Sequence, residues 1–485
     1  MHASLARNAK NAVPVHLVTA RGAKAFLAAD RRRAGLGAAG FAGREGELAP
    51  LMTGPKVTAW VLGVGEGQDI FAAAALSEKL PDGVYRLGEV PPSLGEANAV
   101  LAWLLGTYAF TRYKSSNKKA PRLLLPAGVD GEEISRVAQA IFLARDLINT
   151  PANDMGPDEL VKAARALAAA HGAKVSVIKG AALKKDFPLI EAVGRGSARP
   201  PCLIDLRWGT ANAPRVTLVG KGVCFDTGGL DIKPSAGMLT MKKDMGGAAT
   251  TLAIAAMAMG AKLKLQLRLL IPAVENSVSG DAFRPGDVFR SRKGLTVEIG
   301  NTDAEGRLIL ADALALADEE SPELLIDIAT LTGAARAATG MELPPFFTDD
   351  EVLAADLARL SMVTGDPLWR LPLWQGYDFS LGSRVADLNN NPAYGYAGAI
   401  TAALFLKRFA GKTRSWAHLD IPAWNDRVRP GRPIGGEANS ARAVYALLKE
   451  RYGPPPPRVR STPEGEVPVA GQAKPVKPAK GGGGK

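Results

Sequence analysis

The residues from Asn301 to Leu308 place Asp303, Glu305, Gly306 and Arg307 in close succession. Asp303 and Glu305 are two apart, a spacing that shares one face of an extended segment and suits a helix poorly. An apolar run at 295–299 precedes them and reads as a buried strand. Residues 308–320 follow with helical spacing and abundant Ala and Leu. The acids therefore belong on a strand-to-helix loop. In an open α/β sheet such loops line the crevice at the carboxyl ends of the strands, where ligands bind. A capped helix start with a surface arginine is the plainer alternative.

Two further segments carry chemistry. Residues 219–234 present Lys221, Asp226 and Lys233 among Gly220, Gly222, Gly228 and Gly229. The glycines let backbone approach a ligand closely. The order does not fit a phosphate-binding P-loop, and no Gly-x-Gly-x-x-Gly frame is present. Residues 238–247 contain Asp244 at the start of a helix, where it reads as an N-cap or as a ligand. Asp226, Asp244, Asp303 and Glu305 would then converge from three loops of one sheet. Clustered carboxylates repel one another unless protons or cations intervene. Hard oxygen donors suit divalent cations, and two metals about 3.5–4 Å apart form a hydrolytic arrangement. The four histidines, His2, His16, His171 and His418, show no metal-ligand spacing, so a metal must rest on carboxylates. The residues alone point to a carboxylate-bridged two-metal hydrolase.

The segment 301–308 resembles the signature octapeptide of the leucine aminopeptidase family (cytosol aminopeptidases, the M17 group). Segments 219–234 and 238–247 match that family in residue identity, order and spacing, as do 272–276, 284–287, 327–333 and 416–420. The likeness covers roughly residues 130–425. It implies that Asp226 and Glu305 bridge two metals, that Lys221 and Asp244 complete one site, and that Asp303 completes the other, partly through its carbonyl. Lys233 would bind the substrate carbonyl and developing oxyanion, and Arg307 a bicarbonate acting as general base. Met241, Thr330 and Leu331 would lie beside the pocket for the first side chain, with an apolar residue such as Leu expected there; plain core packing is the alternative for Met241. The metals would be Mn²⁺ or Zn²⁺, with Mg²⁺ compatible, and a hydroxide bridging them would attack the carbonyl. Lys221 as a ligand must be neutral, so a neighbouring dication has to depress its pKa from about 10.4. The resemblance also implies a homohexamer. The chain departs from the family's commoner pattern at 421–424 and 435–439.

The elements needed to position these residues are legible along the chain. At 485 residues it is too long for one ordinary core. The expected class is α/β with two domains: a smaller N-terminal α/β domain and a larger catalytic domain with a mixed, mostly parallel sheet covered by helices. The divisions expected are 1–128, a connecting helix over 129–148, the catalytic domain over 149–452, and a disordered Pro/Gly/Lys-rich tail over 453–485. Strands are expected at 57–64, 174–178, 202–207, 215–219, 265–271, 295–299, 324–328 and 416–421. The Ala- and Met-rich run 245–259 reads as a buried helix.

Composition bounds the alternatives. The chain is 47% hydrophobic and 22% charged, ordinary for a globular protein. Two cysteines, Cys202 and Cys224, argue against a disulfide framework. No signal-like apolar stretch or membrane-spanning run is evident, so a cytoplasmic protein acting on peptides, away from membranes, is expected. The net charge of +12, partly from six Lys/Arg against two Glu in 453–485, sustains a competing class: a hexameric DNA-binding or scaffold protein with secondary or lost peptidase activity.

Overall fold

The computed structural model describes residues 1–115 and 119–454. The tail read as disordered lies, from residue 455 onward, outside the described residues. Strands within the first 124 residues form a six-stranded sheet, in the order Leu5–Ala6, Arg122–Leu124, Val84–Leu87, Val13–Val18, Lys56–Gly63 and Leu48–Thr53. Neighbours are parallel except for the final hairpin. Trp103, on the helix Glu96–Leu105, is fully buried and packs against Tyr85, with ring centroids 5.8 Å apart.

The helix Gly131–Asn149 follows. Asp130 caps it by accepting from the amides of Glu132 and Glu133. Ile134, Ala138, Ile141, Ala144 and Ile148 recur at helical spacing and are buried. Arg145 is buried on the same helix. Its Nη2 donates to Glu437 Oε2 and to the Gly431 carbonyl, both at 2.8 Å.

A nine-stranded mixed sheet carries the second part of the chain. Its path is Trp369–Arg370, Pro345–Phe347, Trp416–Asp420, Leu324–Ala329, Arg215–Gly220, Gln266–Asn276, Cys202–Gly209 and Lys174–Lys179. The four strands from Trp416–Asp420 to Gln266–Asn276 are mutually parallel, and the outer pairings with Pro345–Phe347, Cys202–Gly209 and Lys174–Lys179 include antiparallel ones. Leu324–Ala329 is buried at every position, as a strand covered on both faces must be. Alternate residues feed two cores. Leu218, Leu269 and Ile326 join the core of the helix Gly246–Gly260, while Val219, Leu270 and Leu325 join that of Glu305–Glu319. The Ala- and Met-rich helix Gly246–Gly260 is almost wholly buried, which its all-round apolar surface requires.

Three expectations need correction. The apolar run 295–299 supplies only the short strand Thr296–Glu298, and it pairs with Val288–Arg290 and Leu388–Asn389 in a separate three-stranded sheet. Glu298 sits on its open face, bonded to Ser383 and Asn389, and a charge there bars the strand from a doubly covered position. The signature loop therefore leaves a different sheet from the other two segments. Gly222–Asp226, read as loop, is the ninth strand of the large sheet: it pairs in parallel with the carboxyl-terminal part of Gln266–Asn276, beyond the stretch paired with Arg215–Gly220, with a register shift between Val223 and Asp226. Asp244 is not an N-cap. It lies in the 3₁₀ turn Met241–Met245, and Met245 precedes the helix.

Glu437→Gln is expected to strand the buried Arg145 guanidinium and to lower unfolding free energy by about 3–5 kcal/mol. Urea unfolding followed by tryptophan fluorescence measures it; a wild-type midpoint would mean that the pair contributes nothing net.

Candidate metal centre

Lys221 stands between the strands Arg215–Gly220 and Gly222–Asp226. Its amide donates to the Ile328 carbonyl at 3.0 Å, and its own carbonyl accepts from Ala248 at 2.9 Å. Held from both sides, the side chain runs inward and is buried. Its Nζ lies 2.8 Å from Asp244 Oδ2 and 2.9 Å from Glu305 Oε1, and donates to the Thr330 carbonyl at 2.9 Å. Gly306 explains itself here: a Cβ at that position would sit 2.6 Å from Lys221 Cε.

Asp226 ends its strand. Oδ1 accepts from Asn276 Nδ2 at 2.8 Å and from the Gly228 amide at 2.9 Å, which turns Oδ2 toward Lys233 Nζ, also at 2.9 Å. Gly228 and Gly229 take φ of 89° and 67°, conformations that favour glycine, and so bring Lys233 back over the site. The Lys233 ammonium also contacts Asp303. Asp244 is fixed by Thr330, whose Oγ1 donates to Oδ1 at 2.7 Å. Glu305 opens the helix Glu305–Glu319 and points back into the cluster.

Thr302 locks the loop from which Asp303 and Glu305 project. Its Oγ1 donates to the Gly228 carbonyl at 2.6 Å, and its amide to Asp231 Oδ2 at 2.7 Å. Asn276 Nδ2 donates to the Thr302 carbonyl at 3.1 Å. Asn276 thereby ties the loop to Asp226. On the other face, Lys242 Nζ donates to the carbonyl of Asn149 at 2.7 Å, linking the Met241–Met245 turn to the end of the connecting helix.

Asp226, Asp244 and Glu305 each offer a carboxylate oxygen, all within 4.8 Å of one another and all buried. Burial and the neighbouring carboxylates push Glu305 well above the ordinary carboxylate range, and the same causes push Asp226 up to about 6. Burial would likewise raise Asp244, but the Lys221 and Lys243 charges overcome it and hold its pKa low. Burial by itself favours a neutral Lys221. The charges of Asp244, Glu305 and Asp226 outweigh it and raise its pKa. The site thus calls for positive charge, and the two lysines meet that demand. Asp244 Oδ2 and Glu305 Oε1 are buried with the Lys221 ammonium as their one partner, an ion-pair contact, and accept no further hydrogen bond. Hard, converging oxygens with spare lone pairs fit divalent cations. A dication among them would reverse the balance at Lys221 and favour its neutral, ligating form.

These residues line a pocket of about 310 Å³ that brings together Lys221, Asp226, Lys233, Met241, Asp244, Asp303, Glu305, Thr330 and Leu331. Arg307 is the candidate that does not line it. It is buried beside Glu305, donates from Nη1 to the Asn390 carbonyl at 2.6 Å, and leaves Nε without a partner. Burial lowers its pKa to about 10. Sequence reasoning missed Lys243 and Arg336, which line the same pocket as Met241 and Leu331. It also assigned nothing to Asn276 or Thr302; their polar side chains within the matched segments were the available signal. His418 lies outside the acid cluster, buried against Asp327 with Nδ1 2.6 Å from Oδ1.

A two-domain α/β protein with an acid-lined pocket at the strand ends defines a class of metal-dependent hydrolases. The sequence pattern of the cytosol aminopeptidase family, catalytic domain, matches residues 142–445, and that of the M17 aminopeptidase N-terminal domain matches 13–126. The chain is 40% identical over 397 residues to the probable cytosol aminopeptidase of Geobacter sp. (strain M21), covering 78% of this chain and 79% of that protein. It is 36% identical over 453 residues to the probable cytosol aminopeptidase of Mycobacterium sp. (strain JLS), covering 86% and 88%. The crystal structure of the cytosol aminopeptidase from Coxiella burnetii superposes with a TM-score of 0.88 at 47% identity, over 92% of this chain and 98% of that one. The bottromycin maturation enzyme BotP in complex with Mn gives 0.80 at 34% identity, over 91% and 99%. The chain belongs to the cytosol aminopeptidase family.

In chelator, the cluster should make stability depend on pH. Asp226 has a folded pKa above its unfolded value, so the folded state binds the proton more tightly. Its contribution is full below about pH 4 and is lost as pH rises through about 6. Asp226→Asn removes this loss. The expected outcome is a variant whose melting temperature gains on the wild type between pH 4 and 7; parallel curves would overturn the assignment.

Proposed function

We propose that this chain is a two-metal aminopeptidase that releases the N-terminal residue, apolar by preference, from peptides. The observation that carries the reading is the convergence of Asp226, Asp244 and Glu305 within 4.8 Å in a buried pocket. Asp226, Asp244 and Glu305, with Lys221 and Asp303 beside them, would hold the ions. When bound, two divalent cations (Mn²⁺ or Zn²⁺, with Mg²⁺ compatible) supply Lewis acidity at the scissile carbonyl and lower the pKa of water toward neutrality.

The chain's own groups do the rest. The acid-rich end receives the free amine of the substrate, which an internal peptide bond lacks. Lys233 projects an ammonium into the pocket and holds the carbonyl oxygen as negative charge develops there. Asn276 and Thr330 keep Asp226 and Asp244 in line. Arg307, with an unpartnered Nε, is the donor left to hold a bicarbonate as general base. Met241 and Leu331 give the first side chain an apolar wall, and Thr330 stands beside it.

The reading extends to a cytoplasmic homohexamer. No helix among the described residues is long and apolar enough to cross a membrane. Trp369, Trp374, Phe379 and Tyr396 are at least 59% exposed and offer apolar surface for self-association. The competing DNA-binding reading rests on the net charge and the Lys-rich tail, and the intact set Lys221, Asp226, Lys233, Asp244, Asp303, Glu305 and Arg307 argues against an inactive scaffold.

Hydrolysis of leucine-p-nitroanilide tests the proposal. Activity should vanish with chelator and return with Mn²⁺ or Zn²⁺. Glu305→Gln should lower it by more than about a hundredfold. Lys233→Met should lower kcat by about 10²–10³ while metal content stays at the wild-type level. A folded protein inactive on leucine-p-nitroanilide and on dipeptides with every metal would overturn the reading.

A further inference from the structure

Lys243 is a buried cation that the reaction does not use. It is 4% exposed, and its ammonium has no hydrogen bond or ion pair among the described residues. The nearby acids Asp244 and Asp420 make no hydrogen bond or ion pair with it. Asp244 is occupied by Lys221 and Thr330. Asp420 accepts from the amides of Leu331 and Thr332 and from Thr332 Oγ1 at 2.9, 3.2 and 2.6 Å. An isolated buried charge is costly, and natural structures pair such groups.

Arg336 stands close enough to Lys243 to repel it electrostatically, and it too has no ion-pair partner among the described residues. Its Nη2 lies 3.7 Å from where a Cβ on Gly333 would be, so the guanidinium folds back over the pocket wall. Both cations line the same pocket as the acid cluster, together with Met241 and Leu331. The four pocket acids are contacted by Lys221 and Lys233. The pocket therefore holds, beside its acid cluster, two further cations that no ion pair engages among the described residues.

We infer that Lys243 and Arg336 form an anion-accepting subsite for the first side chain, so that the enzyme removes N-terminal Glu and Asp as well as apolar residues. This rests on the aminopeptidase reading. The methylenes of Glu would lie along Met241, and its carboxylate would supply the counter-charge that both cations lack. A charge-assisted contact of this kind corresponds to about ten- to a hundredfold in kcat/KM.

The test compares glutamyl-, glutaminyl- and leucyl-p-nitroanilide with the metal-loaded protein. Glu and Gln differ in charge at nearly constant shape. These substrates carry no terminal carboxylate that could occupy the wall instead. The wild type is expected to favour Glu over Gln by about tenfold or more. Lys243→Met and Arg336→Leu should each reduce that ratio toward one. Because the readout is a ratio within one preparation, partial misfolding of a variant does not imitate it. A wild-type ratio near one with leucyl substrate turned over, or a ratio kept in both variants, overturns the subsite and leaves the aminopeptidase standing. If the variants instead weaken Leu-Gly and spare Leu-Gly-amide, the wall serves the peptide's C-terminal carboxylate, which also overturns it. No hydrolysis of any substrate overturns both readings.

Discussion

Three carboxylates buried within reach of one another are an electrostatic liability, and much of the second half of the chain is arranged around it. In a medium of low effective dielectric, like charges cannot coexist without compensation. Lys221 supplies part of it from inside the sheet and Lys233 part from the loop above. The same arrangement that makes the cluster unstable alone makes it receptive to cations. Affinity for metal and internal strain are therefore two descriptions of one charge distribution.

The fold meets this constraint by splitting the acids among elements that do not share a sheet. Asp226 ends a strand paired with the carboxyl-terminal part of Gln266–Asn276, Asp244 sits in a 3₁₀ turn, and Glu305 opens a helix fed by a small separate sheet. Polar side chains that bind nothing in the pocket keep these parts in register. Asn276 reaches both Asp226 and the Thr302 carbonyl, and Thr302 reaches Gly228 and Asp231. Such supporting contacts give a metal site its precision.

Much of this was legible in the sequence, because a few residues carry specific demands. The buried strand Leu324–Ala329 and the helix Gly246–Gly260 announce themselves through unbroken apolar runs. The signature acids announce themselves by type and spacing. Sheet membership was not legible. Residues 295–299 look like any short core strand, and only tertiary pairing sends Thr296–Glu298 elsewhere. From its own segment Asp244 reads equally as a cap or a ligand; the family resemblance pointed to a ligand, and the structure sets it against Lys221. Lys243 and Arg336 stayed out of sight for a related reason: nothing local distinguishes a lysine that faces solvent from one sealed into a pocket.

The bond from Lys242 to the last residue of the connecting helix has a consequence of its own. The turn that carries Asp244 hangs between two anchors, Thr330 on the sheet and Asn149 on the helix. Asn149 in turn accepts from the Gly436 amide at 2.8 Å, next to the residue that holds Arg145. Helix end, closing hairpin and acid-bearing turn thus form one mechanical linkage, and a slide of the helix along its axis pulls on the turn through a single flexible lysine. The geometry of one acid is in this way answerable to a part of the molecule that never touches substrate.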